Sequence, residues 1–482
     1  MQSRRDQVQA YFFVVGRLIS AMMRGRPDDP ATPTRRFVMG AVIGTIIGCL
    51  VVAGFGVYGL IRPGGKTSWQ EAGAIIVEKE TGARYLYIDG SLRPVLNYSS
   101  ALLAANNPSG GSVKLVSQAS LEGARRGAPI GIQGAPDSLP DAENLSTAPW
   151  VVCAATETAP SGAEQPITDL QVRRPTGTVL NDDQGVLVST PDGVTYLVWQ
   201  GKRLRLPPES LNALGYAKHT PFPVTSGWIN TLTSGPDLVA PDVPGIGTSL
   251  GTVGGQPARV GQVYEMNNPV LDTSDYYVLR QDGFAPLNQT MASLLVNDPG
   301  TAAAYGGQKP ELIELGIEAL SEQPTSAADS VPEGFPSVPP QVERVDVGGS
   351  TRPCVAFGVN KGNTVTTKIG LVPRNEATGK GRPPSGTAEN ALADRITVPP
   401  NQGILARDLP TPGVAAGTNY LISDLGVKYP LATPEVAGVL GYSGAAPMAV
   451  PSALLNLLPS GPSLDPASAT VEQPLGVTPA SN

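Results

Sequence analysis

Residues 37–61 read FVMGAVIGTIIGCLVVAGFGVYGLI, twenty-five positions without a charge. As a helix this run would rise about 37 Å, more than the roughly 30 Å of a bilayer's hydrocarbon core. It predicts a single transmembrane helix over 37–61, bracketed by Arg35 and Arg36 before it and Arg62 after it. The apolar region of a signal peptide is about 7–15 residues long and sits close to the N-terminus. Here thirty-six residues precede a full-length span, so an uncleaved anchor is expected.

Upstream the pattern changes period. Between residues 7 and 24, Val8, Tyr11, Phe12, Val15, Leu18, Ile19 and Met22 recur at helical spacing and form one apolar stripe. Two readings fit it: a cytoplasmic helix on lipid headgroups, with Arg17 and Arg24 meeting anionic lipid, or a docking helix for a cytoplasmic partner. The Pro- and Asp-rich residues 25–34 end it before the span begins.

Beyond the span the period falls to two. Four stretches pair an aromatic with alternating apolar residues and a glycine turn: RYLYIDGSLRPVL (84–96), TYLVWQGKRLRL (195–206), YYVLRQDGFAPL (276–287) and NYLISDLGVKYPL (419–431). Each predicts a hairpin followed by an apolar helical run, such as SSALLAA or TMASLLV. Two of these units match without a gap at an offset of 226: PESLNALGY (208–216) with PEVAGVLGY (434–442), then Ser234-Gly235-Pro236 with Ser460-Gly461-Pro462. A fixed offset over about thirty positions is the mark of a repeated unit. Four repeats are expected, the first related to the third and the second to the fourth in a pseudo-twofold plan. Between them lie WVVCAA, GVLVST, CVAFGV and TKIGLV, expected to form a central sheet that the repeats flank.

The fold expected is therefore α+β: an N-terminal amphipathic helix, one transmembrane helix, and an elongated exterior domain with a central β-sheet flanked by four strand-helix repeats. In chain order this gives a cytoplasmic segment 1–36, the span 37–61 and a linker 62–75. Repeats follow at 76–140, 191–244, 271–338 and 411–464, central segments at 141–190, 245–270 and 339–410, and a flexible Pro/Ser/Ala-rich tail at 465–482.

Charge orients this plan. Seven arginines against three aspartates make residues 1–36 basic, whereas the whole chain carries −7, so the part after the span is acidic. The positive-inside bias keeps the N-terminus in the cytoplasm and sends the bulk outside. With Gly 56 and Pro 48 the exterior favours short elements and many turns. An acidic exterior without clustered basic and aromatic residues argues against nucleic acid as a partner.

The chemistry on offer is thin. One histidine, His219, removes the commonest general base and metal ligand, and no catalytic, cofactor or metal residue is expected. Gly59 to Gly65-Lys66-Thr67 imitates a phosphate-binding loop, but the spacing is one residue too long, Leu60 stands where glycine is needed, and the stretch follows a membrane helix. Glu311 and Glu314, read as neighbours on a helix in ELIELGIEAL, offer a carboxylate pair that is more commonly a solvated face. Gly40, Gly44 and Gly48 give overlapping GxxxG motifs on one face of the span, where another helix could approach. Cys153 and Cys354 suit a disulfide in an oxidising compartment, with two buried thiols as the alternative; Cys49, inside the span, reads as packing.

The N-terminal QVQAYFFVVGRLISAM, the single span, SWQEAGAIIVEKETGARYLYIDGSLRPVLNYSSALLAA, RRGAPIGIQGAPDSLP (125–140) and WVVCA together resemble the EccB component of actinobacterial type VII (ESX) secretion systems, over nearly the whole chain. The resemblance implies a structural core subunit of the inner-membrane secretion complex, single-pass with its bulk in the periplasm. It implies EccC, EccD and EccE as partners, self-association into a hexameric assembly, and a disulfide from Cys153 to Cys354. The ATPase activity sometimes ascribed to the family finds no nucleotide motif here. An ATP-hydrolysing component and a membrane-anchored wall-binding module stand as the alternative functions.

Overall fold

In the computed structural model, residues 4–25, 33–61, 68–71, 73–107, 112–268, 272–328, 331–360, 363–381, 383, 393–411 and 417–474 are described. Helix α1 spans Arg4–Arg24 and helix α2 spans Pro33–Ile61. Positions 62–67, which hold Lys66 and Thr67 of the loop weighed above, lie outside the described residues.

The first repeat shows how local chemistry builds the unit. Strands Ala74–Glu78, Arg84–Ile88 and Ser91–Pro94 form an antiparallel meander. Its second turn places Asp89 (φ 51°) and Gly90 (φ 70°) in the left-handed region, the conformation a two-residue hairpin turn demands. Asn97 then caps helix Tyr98–Ala105, its side chain accepting from the Ser100 N–H at 3.0 Å. The chain returns as Ser112–Val116, parallel to the first strand on its free edge, giving the order 3-2-1-4.

The same order recurs three times. It holds for the sheet of Val263–Asn268, Thr273–Arg280, Gly283–Leu287 and Ile313–Glu314, and for that of Ile404–Leu409, Asn419–Ile422, Lys428–Pro430 and Met448–Pro451. The sheet of Gln184–Ser189, Thr195–Trp199, Lys202–Arg205 and Phe222–Pro223 follows it too, with Thr233–Ser234 and Gln341–Val342 added. GVLVST, expected in the central sheet, is thus the first strand of the second repeat. Its run is buried on both faces, so its pattern could not say which sheet it joins. Val263–Asn268 and Ile404–Leu409 likewise open the third and fourth repeats, so each of these repeats begins one strand before the expected 191, 271 or 411.

The central sheet has six strands, with Trp150–Thr158 and Thr351–Val359 antiparallel at its middle. Shared cores fix the order of the units. Leu197 and Leu204 of the second repeat pack with Val263 and Leu295 of the third. Val152 and Val355 of the central sheet pack with Trp228 on one side and Ile404 and Leu454 on the other. Leu405 and Leu421 of the fourth repeat share a core with Ile75 and Leu103 of the first. The sequence of packed units is three, two, centre, four, one, and it reads alike from either end.

Two further expectations fail. Of the expected flexible tail, residues 465–474 are packed on the body, with Leu464 and Ala469 completely buried between the fourth and first repeats, while 475–482 lie outside the described residues. Two small apolar side chains suffice because they fill a groove formed by two repeats. Glu311 and Glu314 do not share a helix face, since Ile313–Glu314 is a strand and the helix begins at Ile317. Gly316 separates them, and strand pairing with Tyr264 and Glu265 outweighs the local helical pattern.

Candidate assembly surfaces and the repeat junctions

Helix α2 carries one stretch, Arg36–Tyr58, long and apolar enough to cross a membrane, and none of it is covered by the rest of the chain. Phe37, Val52 and Phe55 are each more than 70% exposed, an arrangement water would penalise and hydrocarbon would not. A Cβ added at Gly40, Gly44 or Gly48 would meet nothing within 4 Å, so the small-residue face stands open. Cys49 is exposed on the same helix. On α1, Val8, Tyr11, Phe12, Leu18 and Met22 are exposed, while Val15 and Ile19 are half-buried. The guanidinium of Arg17 lies 5.8 Å from the centre of the Phe13 ring.

In the central sheet Cys153 and Cys354 are directly opposite one another and joined by a disulfide, closing 201 residues of chain. Beside it lie two carboxylates, Asp169 fully buried and Asp394 exposed next to the edge strand Arg395–Thr397. Asp169 accepts from the Gly379 N–H at 2.7 Å and Asp394 from the Thr168 N–H at 2.7 Å. Desolvation pushes both carboxyls above the ordinary range, because it disfavours the charged form. Among the described residues no cluster of His, Cys, Asp or Glu is arranged to hold a metal.

The outer repeats dock through matched contacts that the sequence reading missed. Tyr442 donates to the Pro140 carbonyl at 2.9 Å, and Tyr216 donates to the Pro340 carbonyl at 2.7 Å. Burial raises both phenols. The signal was present in the chain: Gly134, Pro136 and Pro140 recur as Gly334, Pro336 and Pro340 at an offset of 200. Leu238 and Leu464, both fully buried, correspond at the offset of 226 and bond alike, to the carbonyls of Arg205 (2.8 Å) and Pro430 (2.7 Å).

After those leucines the junctions part. Asp465 caps helix Pro466–Ala469, accepting from the Ala467 and Ser468 N–H groups, and this helix packs on Tyr98–Ala105 of the first repeat. Glu472 then pairs with Arg93 at 2.6 Å, and the side-chain amide of Gln473 donates to the Gly131 carbonyl at 2.8 Å. At the second repeat Val239 stands where Asp465 does, and Pro241 and Pro244 follow. With no cap and two prolines the segment stays irregular and leaves a cavity of about 340 Å³ against Leu294 and Leu295 of the third repeat. The flanks of the centre differ similarly. Phe222 and Trp228 fill the side of the second repeat, with the Trp228 indole donating to Val152 O at 3.1 Å. Met448 and Leu454 occupy the corresponding positions of the fourth and leave an apolar cavity of about 250 Å³ beside Trp150.

A bare apolar helix followed by a body of four like sheets defines the class: a repeat protein carried, among the described residues, on a single candidate membrane span. A profile of the family described as type VII secretion system ESX-1, transport TM domain B, matches residues 1–475, and the chain belongs to that family, EccB. A Mycobacterium tuberculosis protein named ESX-3 secretion system ATPase EccB3 is 29% identical over 512 residues, covering 96% of this chain and 88% of its own length. One named ESX-2 secretion system ATPase EccB2, from the same species, is 27% identical over 491 residues, covering 96% of this chain and 93% of its own length. The solved EccB3 dimer from the ESX-3 core complex overlays with a TM-score of 0.64 at 25% identity, over 83% of this chain and all of that one. A chain of the intact ESX-5 inner membrane complex shares the fold, with a TM-score of 0.66 at 23% identity over 100% of this chain and 98% of that one.

Proposed function

We propose that the protein is a structural core subunit of an ESX inner-membrane secretion complex. In this reading α2 anchors it, the basic N-terminal segment stays in the cytoplasm, and the repeat body stands on the outer side and contacts neighbouring copies. Its partners are the EccC, EccD and EccE subunits, and its own copies associate into a hexamer, with the Gly40, Gly44 and Gly48 face as a contact of the span. The single observation that supports this most is the uncovered α2 with its small-residue face, carried by a chain whose relatives come from ESX complexes.

The test has two arms. Affinity purification of the full chain from native membranes should recover the other core subunits, and protease added outside intact spheroplasts should digest the large C-terminal portion. A protected C-terminal portion would reverse the orientation, and purification without any partner would remove the scaffold role. The word ATPase in the relatives' names supports a second reading as an ATP-hydrolysing component. ATP turnover by the purified full chain that disappears in Lys66→Ala would support it; no turnover, or turnover unchanged in that variant, would remove the loop as a nucleotide site.

A further inference from the structure

The cavity between the second and third repeats has the makings of a binding site. At about 340 Å³ it falls in the range of small-ligand pockets, and it lies at a junction of two packed units, where such sites are common. Its floor is apolar: Ala213, Val243, Leu294 and Leu295 line it, the last three fully or nearly fully buried. Its charge has one sign. Glu209, Asp242 and Asp298 line it and no Lys, Arg or His does. Among the described residues none of these three carboxylates is ion-paired.

A separate observation points to a ligand. Thr301, which also lines the cavity, is 0% exposed, yet its hydroxyl has no hydrogen-bond partner. A buried hydroxyl left unmade is costly, so native structures rarely keep one unless something else satisfies it. The counterpart junction of the first and fourth repeats has its space taken by Pro466–Ala469, so the fold does not require the opening.

We infer that this cavity binds a small aliphatic cation, a primary ammonium or guanidinium on an alkyl stem. The stem lies on Leu294, Leu295 and Val243, the charged head reaches Asp298, Asp242 or Glu209, and the Thr301 hydroxyl accepts one of its N–H groups. Long basic side chains bury their stems in this way while their heads stay charged. The same chemistry is carried by a free oligoamine and by a lysine or arginine side chain of a peptide.

Calorimetric titration of the detergent-solubilised full chain with spermidine, 1,5-diaminopentane, and short peptides containing one lysine or one arginine tests it, with 1-pentanol as the uncharged control. Saturable binding of at least one cation is expected, weakening as salt rises. Asp298→Asn should weaken it at least tenfold, Thr301→Val by several fold, and Glu122→Gln, in the first repeat, not at all. If Asp298→Asn does not fold, the double variant Glu209→Gln, Asp242→Asn changes exposed side chains only and should give the same loss. Binding of the amines alone identifies a free oligoamine, and binding of the peptides alone identifies a basic protein segment. No saturable binding by any cation, equal binding of 1-pentanol, or affinity unchanged in these variants would overturn the inference.

Discussion

The junction of repeats one and four and the junction of repeats two and three begin from the same parts and end differently. Both seat a buried leucine, Leu464 or Leu238, and both pin a tyrosine to a proline carbonyl. In the first, Asp465 starts a helical turn that places Ala469 in the core and carries Glu472 and Gln473 to the first repeat. In the second, Val239 caps nothing and two prolines hold the chain open. A capping side chain and two prolines separate a closed junction from an open one. Duplicated units thus keep their sheets, which many contacts specify, while the short connecting segment between them is free to change.

The largest expected effects come from the shared leucines. Leu464→Ala and Leu238→Ala should each lower stability by about 2–5 kcal/mol in urea denaturation, because each deletes a fully buried side chain. Equal losses mean that the two seats are equivalent; a smaller loss at Leu238 means that the open cavity lets its surroundings relax. Replacing Cys153 and Cys354 together by Ala should cost about 2–5 kcal/mol under oxidising conditions and distinctly less under reducing ones, where only the packing of two buried sulfurs is lost, since the bond constrains the unfolded chain. Its effect should fall on both junctions alike, so a loss at one alone would show that the centre is not shared.

Asp465→Ala should cost about 1 kcal/mol, the worth of a lost N-cap, and it should loosen only the closed junction. The bond from Ser468 holds the Asp465 carboxyl below its ordinary 3.8. A depressed folded value means that this contribution is complete above pH 3.8 and fades as pH falls through the folded value. The difference between wild type and Asp465→Ala should therefore shrink on acidification, and a pH-independent difference would remove the capping explanation. Smallest in asymmetry, Tyr442→Phe and Tyr216→Phe should each cost about 1 kcal/mol by thermal denaturation, one neutral hydrogen bond at each junction. Costs differing by more than about 1 kcal/mol would show that these contacts are not counterparts.

Much of this architecture was legible in the chain. The charge-free run of 37–61, longer than a signal peptide's apolar region, announced a candidate span, and Asp89-Gly90 announced a hairpin. The match of 208–216 with 434–442 announced the inner repeats, because a repeated unit must satisfy the same packing twice. The Gly, Pro and Pro of 134–140 and 334–340 could have announced the outer pair but lie outside the hairpins where repetition is easiest to see. The candidate cavity was not legible, since Thr301 and Asp298 meet Asp242 and Glu209 only when two repeats dock.

The amino-acid order alone determined the elements whose cause is local: the apolar helix, the Asp89-Gly90 hairpin turn and the Asn97 cap. Tertiary structure alone decided where GVLVST belongs, that Ile313–Glu314 is a strand, and that Leu464 and Ala469 are core. In each of those cases a short apolar segment fits several environments equally well, and the choice among them is made by the surface available to bury it, which other parts of the chain supply.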